Sequence, residues 1–188
     1  MKDTDFNLPG YMPLESISFY NEKMFNQTLR FITVGNLGKC CDIGEGNAKM
    51  EFIKSVLNIE VDQLDLPDFN FDRFNPELYC QYDTVFCLEV IEHLQNPLFF
   101  MRELRSLIKP GGVIYLSTPG RPRIIWNKHH FFEMDPSHFN KWILAPLNLK
   151  IIRKAKVRIS RPWYKYIGFR PLLRLFTNYT NIYEITNE

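Results

Sequence analysis

The sequence predicts one α/β domain with a mostly parallel sheet and helices on both faces. Apolar strands alternate with amphipathic helices through residues 39–117, a pattern typical of a parallel sheet. A chain of 188 residues has the length of one domain. Hydrophobic residues make up 45% and charged residues 23% of it, so a packed core is expected and wholesale disorder is not. We therefore treat residues 1–188 as one domain.

The first half of the chain supplies the first two strands. Apolar spacing predicts a helix within residues 14–32, after an entry segment broken by prolines. Residues 39–43 predict a buried strand, and Met50, Ile53 and Leu57 recur at helical spacing over residues 48–57. Residues 59–62 alternate like a short strand, and the Pro- and Asp-rich stretch 66–77 indicates a loop.

The second half continues the alternation. Residues 82–88 are the clearest strand, and a brief helical turn is expected over 89–94. Asn96-Pro97 opens a helix that Lys109-Pro110-Gly111-Gly112 ends, before a strand at 113–117. The remaining predicted elements are a short helix at 137–145, one or two strands within 149–159 and a strand at 182–185 that closes the sheet.

Composition excludes several classes of protein. No apolar run reaches the roughly 18 residues that a transmembrane helix needs. The first residues are polar and acidic, without the apolar core of a secretory signal, so a cytoplasmic location is expected. The cysteines include an adjacent pair and no Cys-x-x-Cys motif, which favours reduced thiols over a disulfide framework or a zinc site.

The charge is distributed unevenly. The net charge of +2 hides ten lysines and arginines, and no acidic residue, over residues 136–183. Within that region, residues 158–174 interleave basic and aromatic side chains. Such a segment can bind nucleic acid, a phosphorylated sugar or an anionic membrane surface, or it can simply cover the core and leave its cations in water.

The turn at residues 42–47 carries the clearest sign of a ligand. Ligands of parallel sheets bind beyond the carboxyl ends of the strands. Gly44 and Gly46 stand between a strand and a helix, where the backbone can pass close to a ligand. Ala48 and Lys49 occupy the region of the third glycine of the dinucleotide fingerprint, which disfavours a pyrophosphate and favours a simple nucleoside.

An acidic residue after the next strand would accept hydrogen bonds from the two hydroxyls of a ribose. Asp62 and Asp65 compete for this role. Asp62 is the preferred residue because Ile59 and Val61 set the strand register.

Three blocks of sequence resemble the class I S-adenosylmethionine-dependent methyltransferases, which have a Rossmann-like fold. Asp42-Ile43-Gly44-Glu45-Gly46-Asn47 is similar to the glycine motif of that family. Residues 82–94 resemble its fourth-strand motif, and residues 107–119 its next helix, turn and fifth strand. The resemblance covers residues 39–120, the expected cofactor-binding core. Residues 1–38 and 121–188 would then complete the sheet and face the methyl acceptor.

The resemblance implies S-adenosylmethionine as the cofactor. Gly44 and Gly46, with Glu45 and Asn47 in the same turn, would pass under its methionine half, and Asp42 would orient the amino end. Asp62, or Asp65, would bind the ribose, and Leu88 would lie near the amino acid moiety or the sulfonium. The chain departs from the family at Glu45, which replaces a small residue, and in a short interval between Gly46 and Asp83 that predicts a missing helix after the second strand.

A group of glutamates and histidines is the candidate for catalysis. Glu89, Glu92 and His93 share one side of a helical turn if that turn forms. His129 and His130 follow the fifth strand. The resemblance to small-RNA 3′-end 2′-O-methyltransferases and some ubiquinone-pathway O-methyltransferases implies a Mg²⁺ or similar site at Glu89, Glu92, His93 and His130. Without a metal, His93, His129 or His130 would be the general base.

Three functions follow from these observations. The first is methylation, at an oxygen, of a small or sugar-like acceptor. The basic C-terminal region suggests an anionic one, such as a phosphorylated or nucleotide-linked sugar. The second is RNA 2′-O-methylation, and the third is a non-catalytic binding or scaffold protein. The sequence leaves the oligomeric state open.

Overall fold

A computed structural model describes residues 19–32, 36–44, 48–64, 74–120, 130–131, 133–158 and 179–187. The helices are α1 (Phe19–Phe31), α2 (Ala48–Leu57), α3 (Pro97–Leu107) and the short α4 (Pro136–Phe139), which continues through wider and tighter turns to Leu147. The strands are β1 (Cys40–Ile43), β2 (Val61–Leu64), β3 (Tyr82–Leu88), β4 (Ile108–Pro119), β5 (Lys150–Arg158) and β6 (Tyr179–Thr186).

The six strands form one sheet in the order β2-β1-β3-β4-β6-β5. The first four strands are parallel, and β6 is antiparallel to both β4 and β5. The prediction of a mostly parallel sheet is confirmed. The strand predicted to close the sheet, β6, instead lies inside it, and β5 is a single long strand at the edge.

Helices cover both faces of the sheet, as predicted. The first face packs α1 and α2 against the sheet, through Ile32, Met50 and Ile53 on the helices and Phe86 and Tyr115 on the strands. On the second face, α3 and the segment from α4 pack against alternate residues of the same strands. Because these two layers of side chains cover both faces of the sheet in the described part of the chain, a ligand site is expected at the ends of the strands.

Local signals explain several boundaries. The Asn96 side chain accepts a hydrogen bond from the Phe99 amide at 3.1 Å, with Pro97 in the first turn, so α3 begins where the sequence predicts. The predicted turn at residues 109–112 lies within β4 as an irregularity. Tyr82 pairs with Ile108 and Thr84 with Val113, and the left-handed Gly111 (φ 74°) lies in the interval.

The connection from β2 to β3 agrees with the prediction in its described part. Residues 74–75 have no regular structure, Pro76–Leu78 forms one 3₁₀ turn, and residues 65–73 lie outside the described residues. A second 3₁₀ turn, Ile91–His93, follows β3 where a brief helical turn is predicted. All four cysteines are free. Among the described helices, none is long and apolar enough to cross a membrane.

The core of the second face gives a direct test of this packing. Leu104 of α3 is fully buried, so Leu104→Ala should lower the free energy of unfolding by about 2–5 kcal/mol through lost burial and the cavity left behind. Leu98→Ala, on the same helix but 40% exposed, is the matched control and should change it by well under about 1 kcal/mol. Denaturant unfolding measures both values, and equal effects would contradict this packing of α3.

Candidate functional site

The carboxyl ends of β1, β3 and β4 meet at one edge of the sheet. The parallel register aligns Asp42 with Phe86 and Leu88 with Ser117. The Glu89 amide continues the pairing by donating to the Ser117 carbonyl at 3.0 Å. The residues that follow these strands are therefore neighbours, as the sequence predicts for a ligand site.

Gly44 ends β1 in a conformation that favours glycine. Its φ is +112°, and its amide donates to the Leu64 carbonyl at 3.1 Å. A Cβ at this position would lie 3.3 Å from Cγ2 of Val90, in the segment after β3. The backbone of the turn thus approaches the end of β3 closely. Glu45, Gly46 and Asn47 lie outside the described residues.

Asp42 is a buried carboxylate without a partner. It is fully buried, and neither of its side-chain oxygens has a hydrogen-bond partner among the described residues. Burial raises the pKa of Asp42 to about 7, and the nearby Gln63 amide only partly opposes the shift. A buried polar group of this kind calls for a ligand that supplies the missing donors.

The structure separates Asp62 from the glycine turn. The sequence places the second strand at residues 59–62, whereas β2 spans Val61–Leu64, so Asp62 is its second residue and pairs with Cys41. The Asp62 carboxylate is half exposed and lies 3.8 Å from Nζ of Lys39, which precedes β1. This ion pair draws the Asp62 carboxylate toward the amino end of β1, and its contact with a ribose stays a prediction. Asp65, which directly follows β2, lies outside the described residues.

The last residue of β3, Leu88, and the residue after it, Glu89, have different surroundings. Leu88 is buried in the cluster with Phe86 and Tyr115, so its side chain is part of the core. Glu89, with a left-handed φ of 61°, accepts a hydrogen bond from Oγ of Ser117 at 2.7 Å. The same Glu89 oxygen lies 3.5 Å from Nζ of Lys49, a buried residue in the first turn of α2.

Three of the four predicted metal ligands come together. One ligand atom from each of Glu92, His93 and His130 lies within 4.8 Å of the other two. The imidazole rings of His93 and His130 meet edge to face, with centroids 5.0 Å apart. The Phe131 amide donates to the Glu92 carbonyl at 2.8 Å and ties the two segments together. Glu89 stays outside this group, with Ser117 and Lys49, and His129 lies outside the described residues.

Glu92 is the buried member of the group. Burial raises the pKa of Glu92 well above its ordinary value, the Glu89 charge raises it further, and a hydrogen bond with Thr118 opposes the shift. Its Oε2 has no hydrogen-bond partner among the described residues. The group thus offers a carboxylate oxygen and two imidazoles, which a divalent cation or a polar substrate can use.

Sequence analysis missed two charged residues of the site. Glu133 is buried, and its Oε1 lies 2.9 Å from Nδ1 of His130, so it fixes the orientation of that ring. The His-x-x-Glu spacing of residues 130–133 is a signal that could have identified the pair. In the sequence, Lys49 stands out only because it lies where a third glycine of the dinucleotide fingerprint would be. Its burial depends on the packing of α2 and has no signal in the sequence.

Comparison with known proteins identifies the family of this chain. The family described as "Methyltransferase domain" matches residues 16–161. A mitochondrial ubiquinone biosynthesis O-methyltransferase of Dictyostelium discoideum is 33% identical over 150 residues, covering 71% of this chain and 46% of the relative. A ubiquinone biosynthesis O-methyltransferase of Marinobacter nauticus is 35% identical over 83 residues, covering 43% of this chain and 34% of the relative. The chain therefore spans less than half the length of these curated relatives.

Solved structures support the same fold. A chain from the complex of the Haloferax volcanii methyltransferase activator Trm112 with a methyltransferase superposes with a TM-score of 0.64 at 13% identity, covering 93% of this chain and 92% of that one. An S-adenosylmethionine-dependent methyltransferase from Archaeoglobus fulgidus gives a TM-score of 0.54 at 15% identity, covering 87% and 93%. Together with the glycine turn and the parallel sheet, these matches show that the chain belongs to the class I S-adenosylmethionine-dependent methyltransferases.

Proposed function

We propose that this protein transfers the methyl group of S-adenosylmethionine to an oxygen of a small, anionic acceptor, such as a phosphorylated or nucleotide-linked sugar. The observation that carries the proposal is the group of Glu92, His93 and His130 at the same sheet edge as Gly44. A hydroxyl is a poor nucleophile until its proton is removed, and this group offers bases where an acceptor would meet the cofactor. Relatives named O-methyltransferases support oxygen as the methylated atom.

The residues of the glycine turn suit the cofactor. Gly44 lets the backbone approach the methionine half, and the unpartnered Asp42 carboxylate can accept from its α-ammonium. Asp65 takes the ribose role in this proposal, because Asp62 pairs with Lys39 away from the edge. S-adenosylmethionine supplies an activated methyl group on a sulfonium, so the protein has mainly to align the acceptor behind it.

Transfer then needs one proton acceptor. Bound S-adenosylmethionine would supply the methyl group and leave as S-adenosylhomocysteine, and the imidazole of His93 or His130 would take the proton of the acceptor hydroxyl. Nδ1 of His130 lies 2.9 Å from Oε1 of Glu133, and this contact fixes the orientation of the His130 ring.

The same group fits a divalent cation such as Mg²⁺ or Mn²⁺. Its donor set is one carboxylate and two imidazoles, with an unpartnered Glu92 oxygen and an outer carboxylate on His130. Because imidazole suits first-row transition metals and Mg²⁺ prefers oxygen ligands, this set favours Mn²⁺ or a similar ion over Mg²⁺. Glu92, His93 and His130 would hold the cation, with Glu89 as a further ligand if it leaves Lys49. A bound cation would lower the pKa of an acceptor hydroxyl.

An anionic acceptor is favoured by the basic strand at the edge of the sheet. Since β5 runs parallel to β4, its end at Arg158 reaches the same edge as Pro119. Lys154 and Lys156 are exposed toward this end of the strand. The RNA alternative would depend on the basic and aromatic residues 158–174, and the relatives named ubiquinone biosynthesis O-methyltransferases favour the small acceptor over it.

Calorimetric titration with S-adenosylmethionine tests the cofactor site. We expect binding in the micromolar range, and Asp65→Ala should weaken it by about 1–3 kcal/mol through loss of charged hydrogen bonds. Asp62→Ala is the control. It should change the binding free energy by less than about 0.5 kcal/mol, because its exposed pair with Lys39 contributes little. A folded protein that binds no cofactor would refute the proposal and favour a scaffold role.

The buried Asp42 carboxyl should lower the free energy of unfolding at neutral pH and strengthen the binding of the cofactor. The folded carboxyl has a pKa of about 7 and the unfolded one a pKa near 4, so folding stability falls as pH rises between these values and then levels. Asp42→Asn should therefore match the wild type near pH 4.5 and exceed its unfolding free energy by about 2–4 kcal/mol at pH 8. The same variant should bind S-adenosylmethionine more weakly. Denaturant unfolding at both pH values measures the first effect, and an unchanged difference between them would contradict it.

Manganese titration tests the glutamate–histidine group. Glu92→Gln and His130→Ala should each weaken Mn²⁺ binding at least about tenfold, as loss of a ligand would, and Glu133→Gln should weaken it about 10- to 100-fold. His138→Ala is the control, since His138 is exposed beside Asp135 on α4. Absence of Mn²⁺ binding, with turnover untouched by a chelator, would leave the histidines as bases only.

A further inference from the structure

Lys49 is a buried cation next to the glycine turn. It is the second residue of α2, and its side chain is only 7% exposed. Lysine is almost never buried to this degree unless its ammonium has a strong partner. The neighbouring Met50 is fully buried, so this part of α2 lies directly on the sheet. The Lys49 ammonium therefore needs an explanation within the site.

The partner that the structure gives Lys49 is insufficient. Its one hydrogen bond among the described residues is to Oε1 of Glu89, at the long distance of 3.5 Å. The same Glu89 oxygen accepts from Ser117 at 2.7 Å, so the carboxylate is already well bound. An ammonium has three donors, and a buried ion pair is stable only when its geometry is good. Among the partners that the described residues supply, Lys49 thus has donors left for a further acceptor.

The position of Lys49 indicates that this acceptor is an anion. α2 has ten residues and begins directly after the glycine turn, so the amides of its first turn add partial positive charge there. On the other side of the turn, the buried Asp42 carboxylate lacks a hydrogen-bond donor among the described residues. Asp42 is on the face of the sheet that packs against α2, since Cys40, two residues before it on β1, clusters with Met50 and Ile53 of that helix.

Lys49 and Asp42, one positive and one negative, can together bind a zwitterionic ligand that completes both groups. The α-amino acid head of a ligand carries one ammonium and one carboxylate close together. Resting on the proposed function, we propose that Lys49 binds the α-carboxylate of the methionine moiety of S-adenosylmethionine, while Asp42 binds its α-ammonium. Glu89, now sharing Lys49 with the ligand, keeps its hydrogen bond from Ser117. Lys49 thereby selects a cofactor that has a carboxylate.

Decarboxylated S-adenosylmethionine is the probe that isolates this contact. It keeps the adenosine, the sulfonium and the amine and lacks only the carboxylate. Wild-type protein should bind S-adenosylmethionine at least about tenfold more tightly than the decarboxylated compound, as a charge-assisted hydrogen bond would produce. In Lys49→Met, we expect S-adenosylmethionine to bind at least about tenfold more weakly and the decarboxylated compound to bind within about twofold of wild type.

Two further variants serve as controls in the same calorimetric titrations. Lys54→Met removes a lysine from the same helix that pairs with Glu51 at 2.8 Å and is one-third exposed, and it should keep the wild-type preference. Lys49→Arg keeps the charge and should restore most of the preference. If Lys49→Met does not fold, as judged by its thermal unfolding, Lys49→Gln takes its place with the same expectation.

The outcomes separate this inference from the proposed function. Wild type that binds neither compound would overturn both. Wild type that binds S-adenosylmethionine, together with a Lys49→Met variant that keeps the full preference for the carboxylate, would overturn the inference alone. Equal weakening of both compounds would also overturn it, since Lys49 would then act only by holding Glu89.

Discussion

The parallel register of β1, β3 and β4 is the constraint on which the site depends. It places Asp42 opposite Phe86 and Leu88 opposite Ser117, so all three strands end at one level. Because β1 and β3 are each followed by a sharp change of direction, polar residues gather there without interrupting either face of the core. Gly44 and the left-handed Glu89 make those changes of direction possible. A shift of one residue in either pairing would turn these side chains to the other face.

The polar groups at this edge are arranged at a cost in stability. Asp42 is fully buried and Glu92 almost so, and burial raises the pKa of both carboxyls. A core that served only stability would carry apolar residues in these places, because unpaired buried carboxyls are unfavourable. Their presence where three parallel strands end is best explained by a ligand whose donors complete them. This is the pattern expected when binding function and folding stability compete.

Much of this arrangement could be predicted from local signals. The cap at Asn96-Pro97 and the apolar run of β3 each act through neighbours in the chain, and the structure confirms them. The phase of β2 could not be predicted, because a strand of four residues at the sheet edge has no clear alternation, and the two-residue error moved Asp62 away from the ligand edge. The inner position of β6 depends on antiparallel pairing with β4, far away in sequence, so no local pattern determines it. The role of Glu133 likewise appears only when the segment after β4 folds back onto the turn Ile91–His93.

The polar residues at the ends of the strands form two sets with different chemistry. Asp42, Lys49 and Ser117-bound Glu89 lie toward α2, and Glu92, His93 and His130 lie in the segments that follow β3 and β4. The first set is suited to the charged head of a cofactor and the second to a hydroxyl or a cation. Glu89 precedes the short turn Ile91–His93 and Glu92 lies within it, and the negative charge of Glu89 contributes to the raised pKa of Glu92. The two sets of polar residues are therefore electrostatically coupled through Glu89, which pairs with Lys49 on one side and faces Glu92 on the other.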